Sequence, residues 1–81
     1  MKKYYRIYAV ESAEIIIENS RMAECLNKLT DRERDAILRN VVLKTPLQKI
    51  AFDIGVSERM VKYYKKSAQN KMRKELENNE Y

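Results

Sequence analysis

The stretch LQKIAFDIGVSERMVKYY, residues 47–64, decides the fold of this chain. It contains the chain's single glycine, Gly55, and directly follows its single proline, Pro46. Proline is typical of the first turn of a helix, and glycine of the position just past its end. Apolar residues recur on both sides of Gly55 at intervals of three and four, which corresponds to one face of a helix. The two apolar stripes are Leu47, Ile50, Ala51 and Ile54, then Val61, Tyr64, Ala68 and Met72. The pattern predicts two helices joined by a tight turn.

Three residues of this stretch suit two helices that cross at close range. Such helices need a small residue where they touch, a flexible residue at the corner and an aliphatic side chain from the second helix. Ala51, Gly55 and Val61 supply these in order. This spacing is typical of a helix-turn-helix motif, and such a motif usually binds DNA.

A capping box predicts another helix upstream. In Thr30-Asp-Arg-Glu33 the threonine hydroxyl can accept from the backbone of Glu33, whose side chain can reach back. The helix is predicted to run to about Leu43. It would bury Ala36, Ile37 and Val41 and present Arg32, Arg34 and Arg39.

Capping residues also precede both helices of the motif. Thr45 is predicted to be an N-cap, with Pro46 at the first helical position and Gln48 at the third. Gly55 would end that helix in the left-handed conformation. Ser57 would cap a final helix that extends through Lys74 and frays beyond it.

The N-terminal segment is ambiguous. Residues 1–10 contain strand-prone Tyr4 and Tyr5, but a mobile arm or the first turns of a helix are favoured because one strand alone is unstable. A helix is predicted from about Glu11 to Leu26, and a short β-hairpin across residues 4–18 is the competing interpretation. The predicted fold class is all-α: a small helix-turn-helix bundle of about four helices.

Composition excludes several kinds of function. The chain has no histidine and a single cysteine, Cys25, which removes the usual metal sites and the common general base. We therefore expect no enzyme activity, no metal and no cofactor, and we interpret Cys25 as a small buried apolar residue. The lone cysteine cannot form an internal disulfide, which fits a reducing cytoplasm. Apolar runs are too short to cross a bilayer and no secretion signal is recognisable, so we expect a cytoplasmic protein without a membrane partner.

Charge is unevenly distributed along the chain. Residues 57–74 contain seven basic side chains and one acidic one, a net charge of +6. Residues 11–31 contain five acidic and two basic side chains, a net charge of −3. A polyanion would be attracted to the final helix and repelled by the N-terminal segment.

The side of the final helix opposite its apolar stripe is the predicted DNA-binding surface. Arg59 could pair with a guanine and Glu58 could accept from a cytosine, whereas the lysines would hold phosphates. Tyr63 could contact a thymine methyl group or a phosphate, or pack against Tyr5 or another helix. Ser57 and the amides beside it could bind a phosphate, and the preceding helix would touch the DNA backbone. The predicted DNA-binding residues are Gln48, Lys49, Ser57, Glu58, Arg59, Lys62, Tyr63, Lys65 and Lys66.

The segment from Leu29 to Leu76 resembles the C-terminal promoter-reading domain, region 4, of bacterial RNA polymerase sigma factors. The matching residues are Leu29, Thr30, Arg32, Glu33, Leu47, Ile50, Ala51, Ile54, Gly55, Val56, Ser57, Val61, Lys62, Ala68, Lys71, Met72, Arg73 and Lys74. The segment Leu29 to Glu33 and the helix-turn-helix are also similar to those of LuxR-type effector domains. The closing Ala-x-x-Lys-Met-Arg pattern favours sigma. Met60 departs from the basic residue that many sigma factors carry there, so the base specificity need not match.

The resemblance implies that the helix from Ser57 reads a −35 promoter element and that the surface around Leu29 to Val42 docks on the β flap of RNA polymerase. Nothing in residues 1–28 resembles another sigma domain. We therefore expect residues 29–81 to be a region 4-like domain, and residues 1–28 to be an arm and helix that serve dimerisation or partner binding. The predicted function is a stand-alone sigma-like DNA-binding transcription regulator, by analogy of phage or mobile-element origin. The alternative is a module that docks on RNA polymerase or a sigma factor with little sequence-specific DNA binding.

Overall fold

The computed structural model describes residues 6–78. Two antiparallel strands open this part of the chain, and four α-helices follow. The elements are β1 (Arg6–Val10), β2 (Ala13–Ile17), α1 (Ser20–Asn27), α2 (Asp31–Ile37), a π-helical turn (Leu38–Val42, hereafter the π turn), α3 (Leu47–Ile54) and α4 (Glu58–Asn78). The predicted all-α helix-turn-helix bundle is confirmed, with the short hairpin as a small addition.

The predicted helix from Glu11 to Leu26 is wrong in its first half, where the competing hairpin forms. Strand β1 pairs with β2 from Arg6 opposite Ile17 to Val10 opposite Ala13, so a two-residue turn joins them. Alternate residues of both strands face the core, and consecutive β-branched residues favour a strand once it has a partner. Helix α1 begins only at Ser20, where the Asn19 side chain accepts from the Met22 amide. The predictions for residues 1–5 fall outside the described residues.

Helix α2 begins as predicted and ends differently. Both hydrogen bonds of the Thr30–Glu33 capping box are present. After Ile37 the backbone widens into the π turn, in which the Leu43 amide bonds to the Leu38 carbonyl. The wider turn rotates the following side chains out of the α-helical register. Leu38, whose amide still bonds to the Arg34 carbonyl, is buried, whereas the predicted burial of Val41 is wrong, since it is 44% exposed.

The arginines of this region are also placed differently from the prediction. Arg32 is exposed, but Arg34 and Arg39 are half-buried and bonded within the protein. Arg34 donates to the carbonyls of Leu26 and Leu29 and lies 5.3 Å from the centre of the Tyr8 ring. These two side chains connect elements of the fold and do not form a free surface.

The boundaries of the last two helices are partly as predicted. Gly55 ends α3 in the left-handed conformation, with φ 74° and ψ 36°, and the Ser57 hydroxyl caps α4 by accepting from the Met60 amide. Thr45 does not cap α3, because its hydroxyl donates instead to Glu11 and Pro46 occupies the cap position. Helix α4 continues to Asn78, beyond the predicted fraying point at Lys74.

Two apolar clusters are joined by α4. One cluster combines the hairpin with α1, α2 and the π turn, and contains Ala68 of α4. The other lies between α2, α3 and α4 and contains Ala36, Ile50, Ala51 and Val61. Cys25 is buried, as predicted. Among residues 6–78, no helix combines the length and the apolar character needed to cross a membrane.

Candidate nucleic-acid interface

The turn between α3 and α4 is held by the residues that mark the motif in the sequence. Gly55 and Val56 both donate their amides to the Ala51 carbonyl, at 2.9 and 3.0 Å. Because Ala51 and Val61 are buried together in the second cluster, α4 can pack close against α3. A left-handed residue is needed at position 55, and glycine adopts that conformation without a steric penalty.

The first turns of α4 present the predicted basic surface to solvent. Glu58, Arg59, Lys62 and Lys66 are exposed, and Lys65 is half-buried on the flank. Among the described residues, no carboxylate forms an ion pair with any of the four cations of this surface. Their charge is therefore not neutralised within residues 6–78, and it is available to a polyanion.

Tyr63 lies on the same surface and is 64% exposed. Its ring meets that of Tyr64 edge to face, with centroids 6.1 Å apart. Tyr64 is partly buried against the second cluster, so the ring that Tyr63 contacts is itself held by the core. The alternative contact of Tyr63 with Tyr5 falls outside the described residues.

Helix α3 contributes Gln48 and Lys49 from its first turn. Both side chains are exposed, and the Lys49 ammonium lies 3.1 Å from an Asp53 carboxylate oxygen. No side chain caps this end of α3, so Gln48 has no capping role. All nine predicted residues thus lie on the two motif helices or, in the case of Ser57, on the turn between them.

The second half of α4 is anchored to α2 by a buried carboxylate. Glu33 accepts from the Ser67 hydroxyl at 2.6 Å and from the Lys71 ammonium at 2.9 Å, besides its bond to the Thr30 amide. Burial by itself raises the pKa of Glu33, but the three hydrogen bonds and the Lys71 charge outweigh it and lower that pKa to about 2. Lys71 belongs to the basic helix and its side chain is 47% exposed, yet its ammonium pairs with this buried carboxylate. No sequence signal connects it with Glu33, which the sequence predicts only as a capping residue.

One exposed residue of the motif is missing from the predicted site. Phe52 is 86% exposed on α3, one turn beyond Gln48. The sequence does contain a signal for it, because position 52 falls between the apolar positions 51 and 54 and outside their stripe. An aromatic ring so open to solvent is available for contact with a partner.

Comparison with protein families finds a match for most of the helical part of the chain. The family model described as sigma-70, region 4, matches residues 20–72, which is more than half of the chain. No curated protein and no solved structure matches the chain. The match includes α1, α2, the π turn, α3 and most of α4, and it excludes the hairpin. The chain belongs to the sigma-70 region 4 family.

Proposed function

We propose that this protein is a sigma-like transcription regulator of the bacterial cytoplasm that binds double-stranded DNA, with residues 57–74 as the recognition helix in the major groove. Domains of its family are non-enzymatic modules that bind DNA and associate with RNA polymerase. The observation that carries the proposal is the exposed basic surface at the start of α4, whose four cations have no carboxylate partner among residues 6–78.

Each side chain of this surface has a distinct proposed role. Arg59, near the helix start, would make a bidentate contact with a guanine, and Glu58 would accept from a cytosine amino group. Lys62, Lys65 and Lys66 would hold phosphates, which fix the position of the helix without reading sequence.

The remaining contacts come from the turn and from α3. Ser57 and the free amides at the start of α4 can bind a phosphate. Gln48 and Lys49 would meet the DNA backbone where α3 crosses it. Tyr63, held by Tyr64, can contact a thymine methyl group or a phosphate.

Titration of a labelled duplex at two or more salt concentrations tests the proposal. Four or five phosphate contacts predict a slope of log affinity against log salt of about −3.6 to −4.5, since each contact contributes about −0.9. The full chain should be used, with fluorescence anisotropy as the readout. Absence of binding at low salt would refute DNA binding by this surface.

A second candidate function is docking on RNA polymerase or on a sigma factor, with little reading of DNA. The exposed side chains of Val41, Val42 and Phe52 favour it, since they offer apolar contact outside both clusters. The β flap is the proposed partner, on the surface around Leu29 to Val42. If the duplex titration shows no binding and immobilised polymerase retains the chain, this second function is the better one.

The hairpin is the proposed dimerisation surface. Ile7 and Ile16 are directly opposite each other on the outer face of the sheet and are 43% and 50% exposed. A second copy could cover this pair, and the acidic character of the segment would keep it away from DNA. Sedimentation equilibrium should show a dimer for the wild-type chain and a monomer for Ile16→Lys, with Val42→Lys as a control that remains dimeric. A monomeric wild-type chain at high concentration would exclude this contact.

A further inference from the structure

The hairpin is bonded to the DNA-binding motif through Glu11 in its turn. The Glu11 carboxylate accepts from the Thr45 hydroxyl at 2.8 Å and lies 3.6 Å from an Arg39 guanidinium nitrogen. Thr45, two residues before α3, is only 7% exposed. A buried side chain immediately before the first motif helix is therefore held by a residue of the N-terminal hairpin.

Several elements meet at this point. Arg39 of the π turn also pairs with Asp35 of α2 at 2.9 Å and lies 3.9 Å from Asp53 of α3. The Thr45 amide donates to the Arg39 carbonyl at 2.9 Å. We call Glu11, Arg39 and Thr45 the clasp. Its contacts connect the hairpin, the π turn and the approach to α3.

The backbone at Glu11 supports a specific role for its side chain. Glu11 has φ 57°, a left-handed conformation that favours glycine or asparagine in a tight turn. A glutamate in this conformation is strained relative to glycine, because its Cβ approaches the following carbonyl oxygen. The bonds of its carboxylate with Thr45 and Arg39 offset that strain.

We propose that Glu11 is a positioning residue for DNA binding, which orients α3 so that Gln48 and Lys49 meet the DNA backbone. This inference rests on the proposed function. Residues 20–72 match the family, so the hairpin contributes a contact from outside the matched region. The Thr45 backbone also bonds to the Arg39 carbonyl and the Asn40 side chain, so removing the Glu11 carboxylate frees only the Thr45 side chain. Because Thr45 leads directly into Pro46 and α3, this loosens the start of α3 while leaving the core of α4 in place.

The sign of the change in DNA affinity distinguishes a positioning role of Glu11 from a purely electrostatic effect of its charge. Removing an acidic residue from a DNA-binding protein ordinarily strengthens binding, because it removes repulsion from the phosphates. Disruption of the clasp should instead weaken binding. Glu14 is the matched control, since it is an exposed glutamate of the same hairpin and its carboxylate neither accepts a hydrogen bond nor forms an ion pair within residues 6–78.

Affinity for a duplex should be compared for wild type, Glu11→Ala, Glu11→Gln and Glu14→Ala, at a temperature where circular dichroism shows each variant folded. We expect Glu11→Ala to bind about 3- to 10-fold more weakly, with a salt slope shallower by about 0.9 for each phosphate that the variant no longer reaches. Glu14→Ala should bind at least as tightly as wild type. Glu11→Gln should be intermediate, because its amide oxygen can still accept from Thr45 but lacks the charge that attracts Arg39.

Amide exchange supplies a readout that does not depend on DNA. The amides of Lys49 and Ile50 both donate to the Pro46 carbonyl at 3.1 Å, so they report on the first turn of α3. They should exchange faster in Glu11→Ala and at the wild-type rate in Glu14→Ala. Equal affinities for the two alanine variants, or unchanged exchange in Glu11→Ala, would overturn the proposal. If wild type binds no duplex, the proposed function fails, and the exchange rates still decide whether the clasp orders α3.

Discussion

Replacing Glu33 by alanine is expected to lower the free energy of unfolding by about 3 kcal/mol, since a capping bond and the other two hydrogen bonds of a buried carboxylate are removed together. The substitution leaves Ser67 and Lys71 of α4 without their acceptor on α2. For a domain of this size, the melting temperature should fall by about 12–24 °C. The change in melting temperature can be measured by thermal unfolding, with circular dichroism as the readout.

Glu77→Ala is the matched control for that substitution. Glu77 is exposed near the end of α4 and has no ion pair among the described residues. Its replacement removes the same charge and should leave the melting temperature nearly unchanged. Similar melting temperatures for the two variants would show that the buried carboxylate does not hold α2 and α4 together.

The same carboxylate predicts a dependence of stability on pH. Its pKa is about 2 in the folded protein and 4.5 ordinarily, so the folded state binds the proton more weakly than the unfolded state. The ionised group therefore stabilises the fold fully above about pH 4.5, and this contribution is lost as the pH falls towards 2. Urea unfolding should be measured at pH 6, 4 and 3 for wild type and Glu33→Gln. The difference between their free energies of unfolding should become smaller as the pH falls across that range. A constant difference would contradict the assigned network.

Arg59→Ala should cost about 1–3 kcal/mol in binding to the preferred site and relax specificity at one base pair, because the variant cannot bond to the guanine. Lys66→Ala should weaken binding to all sequences alike and reduce the salt slope by about 0.9. The two cations lie on the same exposed surface of α4, so each serves as the control for the other. Titration against duplexes that differ by single base pairs measures both effects. A uniform decrease across all sequences for Arg59→Ala would argue against base reading by that residue.

The helix-turn-helix could be predicted because its signals are local. Capping at Thr30 and Ser57, and the left-handed turn at Gly55, depend on residues within four positions of each other, so the sequence alone contains them. The same holds for the exposed positions of α4, which follow once its apolar stripe is recognised. The prediction for Val41 is wrong because the π turn changes the helical period on which it depends.

The N-terminal segment and its link to the motif depend on distant contacts. Residues 13–17 have no fixed preference alone, and they form a strand because β1 is available as a partner and Ile15 is buried against the core. Thr45 looks like a helix cap in sequence, yet its hydroxyl bonds to Glu11, which is 34 positions away. Local preferences for a strand or a helix cap are weak compared with such tertiary contacts.

The sequence by itself determined the motif helices, the turn at Gly55 and the basic surface from Arg59 to Lys66, since each depends on the helical period or on adjacent residues. Tertiary structure decided which charges remain available. It engages Lys71 with Glu33, and Arg39 with Glu11, while the cations at the start of α4 are left without a carboxylate partner among residues 6–78. The physical reason is that an ion pair requires two side chains to meet in space, and only the packed fold brings together residues so far apart in the chain.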